Sequence, residues 1–336
     1  LSQRPETPIN FHICGFQLPD FPEIDPTSVV KHHTGGIPKG ILPAMVKAVL
    51  PTHIAARDGL KLRVYHFPIE RPQGLVVFLH GLCEHAGRHA DVAQHLNSQG
   101  WAVVSYDHRG HGQSEGARGT VQQDDDFMVD LATVLDTTQA VYPKLPRLLM
   151  GASMGGLMAA RMASAWAQPP ESIAWARPID GIILSAPALE PSMTLTQRAL
   201  LSAFGKLVPD LAVPVGLKAD WYSSDPAVIA DINADPLIHQ RITPRLTQFI
   251  LANGQAVMDR AAHWTCPTLL LYSQIDRLVQ ARACDRFAAD APAGVITAQR
   301  YADLEHDLFH EPKKHLVLSD LNSWLKTQFP SRALAA

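Results

Sequence analysis

Cysteine is scarce in this chain of 336 residues: Cys14, Cys83, Cys266 and Cys284 stand far apart and none forms a C-x-x-C pair. That excludes a disulfide framework and a cysteine-based zinc site, and it points to a reducing compartment. Long apolar runs are also missing. No stretch reaches the roughly 18 residues needed to span a bilayer, and the N-terminal region lacks a basic segment followed by an apolar core and a small-residue cleavage site. The expectation is a cytoplasmic protein without a membrane span. The chain starts at Leu1 rather than Met, so a removed leader, and with it export, stays open. Excess charge of one sign is absent too, with a formal net charge of −3. Without a basic stripe to neutralise phosphates, nucleic acid is not an expected partner. Internal repeats and low-complexity tracts do not occur.

What is present is the composition of a globular protein with a sizeable core: 46% hydrophobic and 18% charged residues. The length suits one large α/β domain with an insertion better than a chain of small domains. Residues 1–51 carry Pro5, Pro8, Pro19, Pro22, Pro26, Pro38 and Pro43 between apolar residues. Proline at that density prevents helix and central strand, so an extended arm is expected, with a short helix at Leu42 to Leu50. From Thr52 the pattern becomes regular. A hairpin turning at Asp58-Gly59 is followed by apolar runs at Gly74 to Leu79, Trp101 to Tyr106, Arg147 to Met150, Gly181 to Ser185, Pro267 to Tyr272 and Val295 to Tyr301. These runs read as strands buried on both faces. Helical patterns lie between them, at Arg88 to Gln99, Asp124 to Tyr142, Met154 to Ala167, Leu278 to Ala289 and Glu311 to Thr327. Strand and helix in alternation imply a mainly parallel sheet covered by helices on both faces. The alternation breaks over 189–262, where no strand is evident and Leu200, Leu201, Phe204, Leu207 and Val208 fall at helical spacing. This segment is expected to be a helical cap inserted between core segments 52–188 and 263–330.

The chemistry-bearing stretch is Gly151-Ala152-Ser153-Met154-Gly155, a G-x-S-x-G sequence after an apolar run and before a helical one. A serine on a sharp strand-to-helix turn needs neighbours without a Cβ, and its hydroxyl is pushed outward beside the helix N-terminus, which favours an oxyanion. Serine is a weak nucleophile unless a base, itself oriented by a third group, takes its proton. Ligands of such sheets collect past the carboxyl ends of strands, and the partners are expected in the order Ser, acid, His. Asp276 lies just past the strand ending at Tyr272, and His306 just past the last strand. His310 and His315 fall in or beside the closing helix, and Asp303 and Glu305 are badly placed to reach the distal nitrogen of the imidazole. Two amide donors must face the developing oxyanion: Met154, which follows the serine, and Leu82, in the loop after Gly74 to Leu79. Asp107 and Arg109 read as scaffolding of the glycine-rich loop 107–116. Cys83, with no elbow of its own, is discounted as a nucleophile.

Together His80-Gly81-Leu82-Cys83-Glu84-His85-Ala86-Gly87-Arg88, Asp107 to Gly116, Gly151 to Gly156, Ser185-Ala186-Pro187, Leu269 to Val279 and Glu305-His306 resemble the monoacylglycerol lipase and lysophospholipase branch of the α/β-hydrolase fold, over about residues 52–327. The resemblance implies a mostly parallel eight-stranded sheet flanked by helices with an inserted cap. It implies Ser153 as nucleophile, Asp276 as acid, His306 as base, and Leu82 and Met154 as oxyanion donors, with no cofactor and no metal. The arm lies outside the pattern, and the cap matches it only through Asp235-Pro236-Leu237. The function this implies is hydrolysis of the acyl ester of a monoacyl lipid, with peripheral membrane or micelle contact through the cap. A carboxylesterase, thioesterase or acyltransferase acting on another acyl group, and a non-catalytic binding relative, remain as alternatives. Oligomeric state, acyl length and head group are not legible.

Overall fold

The structure, a computed structural model, describes residues 50–168 and 173–330. The expected N-terminal arm and its short helix therefore lie almost wholly outside the described residues. The remaining elements follow in order: β1 (His53–Ala55), β2 (Lys61–Phe67), β3 (Gly74–Leu79), α1 (Ala90–Ser98), β4 (Trp101–Tyr106), α2 (Asp126–Val141), β5 (Arg147–Ala152), α3 (Met154–Trp166), β6 (Gly181–Ser185), α4 (Leu195–Phe204), β7 (Val213–Pro214), α5 (Pro226–Ala234), β8 (Arg241–Ile242), α6 (Pro244–Met258), β9 (Thr268–Ser273), α7 (Ala281–Asp290), β10 (Ile296–Tyr301) and α8 (Lys314–Gln328).

Eight strands form one sheet in the order β1-β2-β4-β3-β5-β6-β9-β10. β1 and β2 join antiparallel, as a hairpin whose turn places Gly59 at φ 87°, and β2 meets β4 antiparallel. Every later pairing is parallel. The all-apolar sequence of β3 has a direct packing reason. Leu75, Val77 and Leu79 point into one core layer with Leu131 of α2, Leu157 of α3 and Phe287 of α7. Val76 and Phe78 point into the other, with Leu96 of α1 and Leu321 and Trp324 of α8. A strand covered on both faces has no position where a polar side chain could reach water.

Between β6 and β9 the chain leaves the sheet. Three helices, α4 to α6, occupy this excursion, and α6 packs on the core through Phe249, Ile250 and Val257. The sequence expectation of no strand here is corrected: β7 and β8 pair antiparallel as a two-residue ribbon, too short to leave a period-2 pattern. The apolar run from Leu200 is also shorter as a helix than expected. α4 opens on a capping box between Thr194 and Gln197 and stops at Gly205, leaving Leu207 and Val208 outside it. Leu200 and Phe204 lie outside the residues whose side chains are described. The first cap residues are stitched to the segment behind Asp276, with Pro191 bridged to Val279 and Ser192 N donating to Leu278 O at 2.9 Å.

Candidate active site

Ser153 sits between the end of β5 and the start of α3 at φ 52° and ψ −116°. A non-glycine residue there is strained by about 1–3 kcal/mol and persists only when its surroundings over-determine it. They do so here. Ser153 N donates to Ser185 O at 2.9 Å, and Ser153 O accepts from Leu157 N and Ala188 N, each at 3.0 Å. The flanking glycines are needed for close approach: a Cβ on Gly151 would lie 2.2 Å from Gly155 O, and one on Gly155 2.2 Å from Leu79 O. Met154 is the first residue of α3, where a backbone N–H has no intrahelical acceptor. Leu82 N likewise has no backbone or side-chain acceptor among the described residues.

The loop that carries Leu82 is held by buried histidines. His80 Nε2 accepts from His108 N at 2.9 Å, so its Nδ1 is the protonated nitrogen and donates to Gly81 O at 2.7 Å. Burial, with the neighbouring rings of His108 and His111, holds His80 well below the usual imidazole range. Burial likewise depresses His108 and His239 to about 4 and His111 well below 6.5. The four rings pack in sequence, with centroids 4.0 Å apart for His80 and His108 and 4.7 Å apart for His111 and His239.

Asp276 and His306 are brought together from successive strand ends. Asp276 Oδ1 accepts from Leu278 N at 2.7 Å and Val279 N at 3.0 Å. Leu278 to Gln280 run beside residues 190–192, with Pro191 bridged to Val279 and Gln280 N donating to Glu190 O at 3.0 Å, so α7 starts at Ala281 rather than at Leu278. Asp276 Oδ2 is left to accept from His306 Nδ1 at 2.6 Å. Burial opposes a charge on His306, but the Asp276 carboxylate outweighs it, with Asp307 and Glu84 adding, and the imidazole is raised above its ordinary value. The other ring nitrogen, Nε2, is buried without a hydrogen-bond partner. Ser153 and His306 line the same small cavity with Gly81, Leu82 and Tyr222. The competing acids go elsewhere: Asp303 pairs with Lys313 at the surface and Glu305 with Arg277 at 3.3 Å.

Other candidates take structural roles. Arg109 is buried in a fork with Asp130, at 2.6 Å from Nε and 2.7 Å from Nη2. Asp107 accepts from Ala86 N and Gln113 N, each at 2.8 Å. Burial pushes the Cys83 thiol up to about 12, which leaves it inert as a nucleophile. Among the described residues, one set of possible metal ligands, His89, Asp307 and His310, comes within 4.8 Å. Both Asp307 oxygens already have donors, Arg88 Nη2 at 3.0 Å and His310 Nδ1 at 2.9 Å. His310 Nε2 lies 3.1 Å from Arg88 O. Burial disfavours the His310 charge, yet Asp307 and Asp91 raise this imidazole to about 10. The cluster is thus an internally paired charge network.

Above Ser153 opens a cavity of about 1580 Å³, walled largely by apolar side chains that include Leu201, Leu211, Val215 and Ile250 of the excursion between β6 and β9. A hydroxyl on a strained turn, an imidazole aligned by a carboxylate and two free amides are the parts of an acyl-transfer site. The chain matches the family described as Serine aminopeptidase, S33 over residues 70–313. It belongs to that family. Within it the chain falls in the monoacylglycerol lipase branch of the α/β-hydrolases. A monoacylglycerol lipase of Mycolicibacterium smegmatis is 35% identical over 84% of this chain and 99% of its own length. The human monoglyceride lipase is 29% identical over 84% of this chain and 93% of its own. Among solved structures, a monoacylglycerol lipase of Paleococcus ferrophilus superposes with a TM-score of 0.69 at 26% identity, covering 80% of this chain and 99% of that one.

Sequence reasoning missed the buried acid Glu311 and the cap residues that reach the His306 loop. A glutamate before Pro312 at the start of a closing helix carries no signal that separates it from a solvated one.

Proposed function

We propose that this protein is a serine hydrolase that cleaves the acyl ester of monoacyl lipids, monoacylglycerol or lysophospholipid. Ser153 is the nucleophile, His306 the base, Asp276 the acid that orients it, and Leu82 and Met154 the oxyanion donors. The observation that carries the reading is the convergence of Ser153 and the Asp276–His306 pair beside a large apolar cavity of about 1580 Å³ that Ser153 also lines. The names of the relatives support the substrate class. As Ser153 Oγ attacks the ester carbonyl, its proton passes to His306 Nε2, and the new oxyanion accepts from the two amides. Collapse breaks the C–O bond to the alcohol, which leaves with the proton from His306. Water then attacks the acyl-enzyme, giving its proton to the same nitrogen, and the fatty acid is released as Ser153 is reprotonated. Asp276 fixes the ring so that Nε2 faces the serine, and it stabilises the imidazolium in both steps.

Residues 189–262 act as one inserted cap over core segments 52–188 and 263–330. No described helix is long and apolar enough to cross a membrane. The cap nonetheless exposes Leu195, Leu207 and Leu211 at 86%, 73% and 57%, and these side chains form the contact with a micelle or bilayer surface. Free thiols at Cys83, Cys266 and Cys284 fit a cytoplasmic setting.

Ser153→Ala is expected to lower turnover of p-nitrophenyl esters and of monoacylglycerol by on the order of 10⁴ to 10⁶ and to abolish labelling by a fluorophosphonate probe. Wild-type turnover in that variant would refute the assignment.

A further inference from the structure

We propose that Glu311 is a positioning residue that sets the His306 loop by fastening it to the cap, so that the cap segment 221–224 forms part of the mounting of the base. The proposal rests on the reading of His306 as the base. Glu311 is a buried carboxylate, and among the described residues no Lys, Arg or His pairs with it. A carboxylate taken out of water without a cation must be met by several donors. Four reach it. Oε1 accepts from Ser224 N at 2.6 Å and from Ser223 Oγ at 2.7 Å. Oε2 accepts from Ser224 Oγ at 3.0 Å and from Glu305 N at 3.1 Å. The last of these closes the turn 305–311 on itself, immediately before His306. The first three tie that turn to the cap.

Four further contacts run along the same joint. Trp221 O accepts from His306 N at 3.4 Å and Tyr222 O from Asp307 N at 2.7 Å. Ser223 Oγ lies 3.0 Å from His310 O, so its single proton is shared between that carbonyl and Glu311. The Tyr222 ring stands edge-on to His306, with centroids 5.8 Å apart. Cap residues thus touch the base at its backbone, at its ring and at both ends of its loop.

The carboxylate is specifically required. Each of its oxygens receives a backbone N–H, Ser224 on one and Glu305 on the other, and backbone donors cannot be turned away. A glutamine has the same shape but one oxygen, so in either flip its amide NH₂ faces a backbone N–H and leaves it buried without an acceptor. The loop would shift to relieve this, and a displacement of about 1 Å at a reacting group can cost a hundredfold in rate.

The test is Glu311→Gln in the full chain, assayed on soluble p-nitrophenyl butyrate. The expected result is a kcat lowered about 10- to 100-fold with KM within about twofold, in a variant whose circular dichroism is that of the wild type. In parallel, the far-downfield proton resonance of His306 Nδ1–H, which reports the bond to Asp276, is expected to shift or broaden. Ser223→Ala is a milder cut at the same joint and should lower kcat several-fold while leaving the fold intact. Unchanged kcat and an unchanged downfield proton in either folded variant would overturn the proposal. The resonance is read without substrate, so it judges Glu311 independently. Failure of the catalytic reading would show instead in the wild type, as absence of fluorophosphonate labelling at Ser153.

Discussion

The two halves of the proposed catalytic cleft are held by different parts of the chain. Ser153 is fixed by the sheet: its backbone partners are Ser185, Leu157 and Ala188, and the helix behind it abuts β3 through Gly155. His306 is fixed from the core side by Asp276 and from above by Trp221, Tyr222 and the Glu311 joint. A nucleophile mounted on packed strands cannot follow a moving cap, whereas a base partly mounted on the cap can. A displacement of the 221–224 turn would therefore carry the His306 loop with it, whereas α4 meets the cleft as a wall of the cavity.

The most severe way to break this contrast is from the sheet side. Gly155→Ala places a Cβ 2.2 Å from Leu79 O and 2.6 Å from His80 O, backbone atoms that cannot rotate aside. The expected cost is about 3 kcal/mol or more, seen as a lowered denaturation midpoint, with activity falling because the β3 end carries Leu82. A variant as stable as the wild type would show the elbow to be less tightly packed than described.

The next largest effect is on the histidine side and is read with pH. As the proposed base, His306 must be neutral to accept the serine proton, and Asp276 raises it above 6.5. Activity should therefore fall as pH drops through a value above that of a free imidazole, tenfold per unit on the acid limb of kcat/KM. An acid limb below pH 6 would mean that Asp276 does not govern His306. The smallest effect on chemistry is expected at the outer cap. Leu207→Glu, at a side chain 73% exposed, should leave kcat on a soluble ester within about twofold, yet reduce flotation with phosphatidylcholine vesicles, since each buried apolar side chain contributes about 1.5–3 kcal/mol. Unchanged flotation would remove the lipid-surface role.

Much of this arrangement was legible before any coordinates. The strands covered on both faces announced themselves as unbroken apolar runs, and Ser153, Asp276 and His306 fell at the ends of such runs, which is where a parallel sheet delivers side chains to a shared edge. The glycines of the elbow were legible for a related reason, because a missing Cβ is visible in sequence. The cap was legible only as a gap in the alternation. Its β7–β8 ribbon pairs two residues with two, and two of its contacts with the His306 loop run through backbone atoms of Trp221 and Tyr222, which every residue type possesses. Glu311 escaped for a third reason: its role depends on donors from positions 223, 224 and 305, and no local pattern encodes so distant a convergence.

The neutral histidines behind the oxyanion loop carry a consequence for handling. With His108 and His239 near 4 and His80 and His111 also held well below the usual imidazole range by burial, the folded chain refuses protons that the same rings accept near 6.5 once unfolded. Their linkage is fully favourable to the fold above that value and is lost progressively toward pH 4. A preparation left in mildly acidic buffer is therefore exposed to a different hazard from the reversible silencing of the proposed base: molecules that unfold capture protons on these rings, and neutralising the buffer restores only those that can refold.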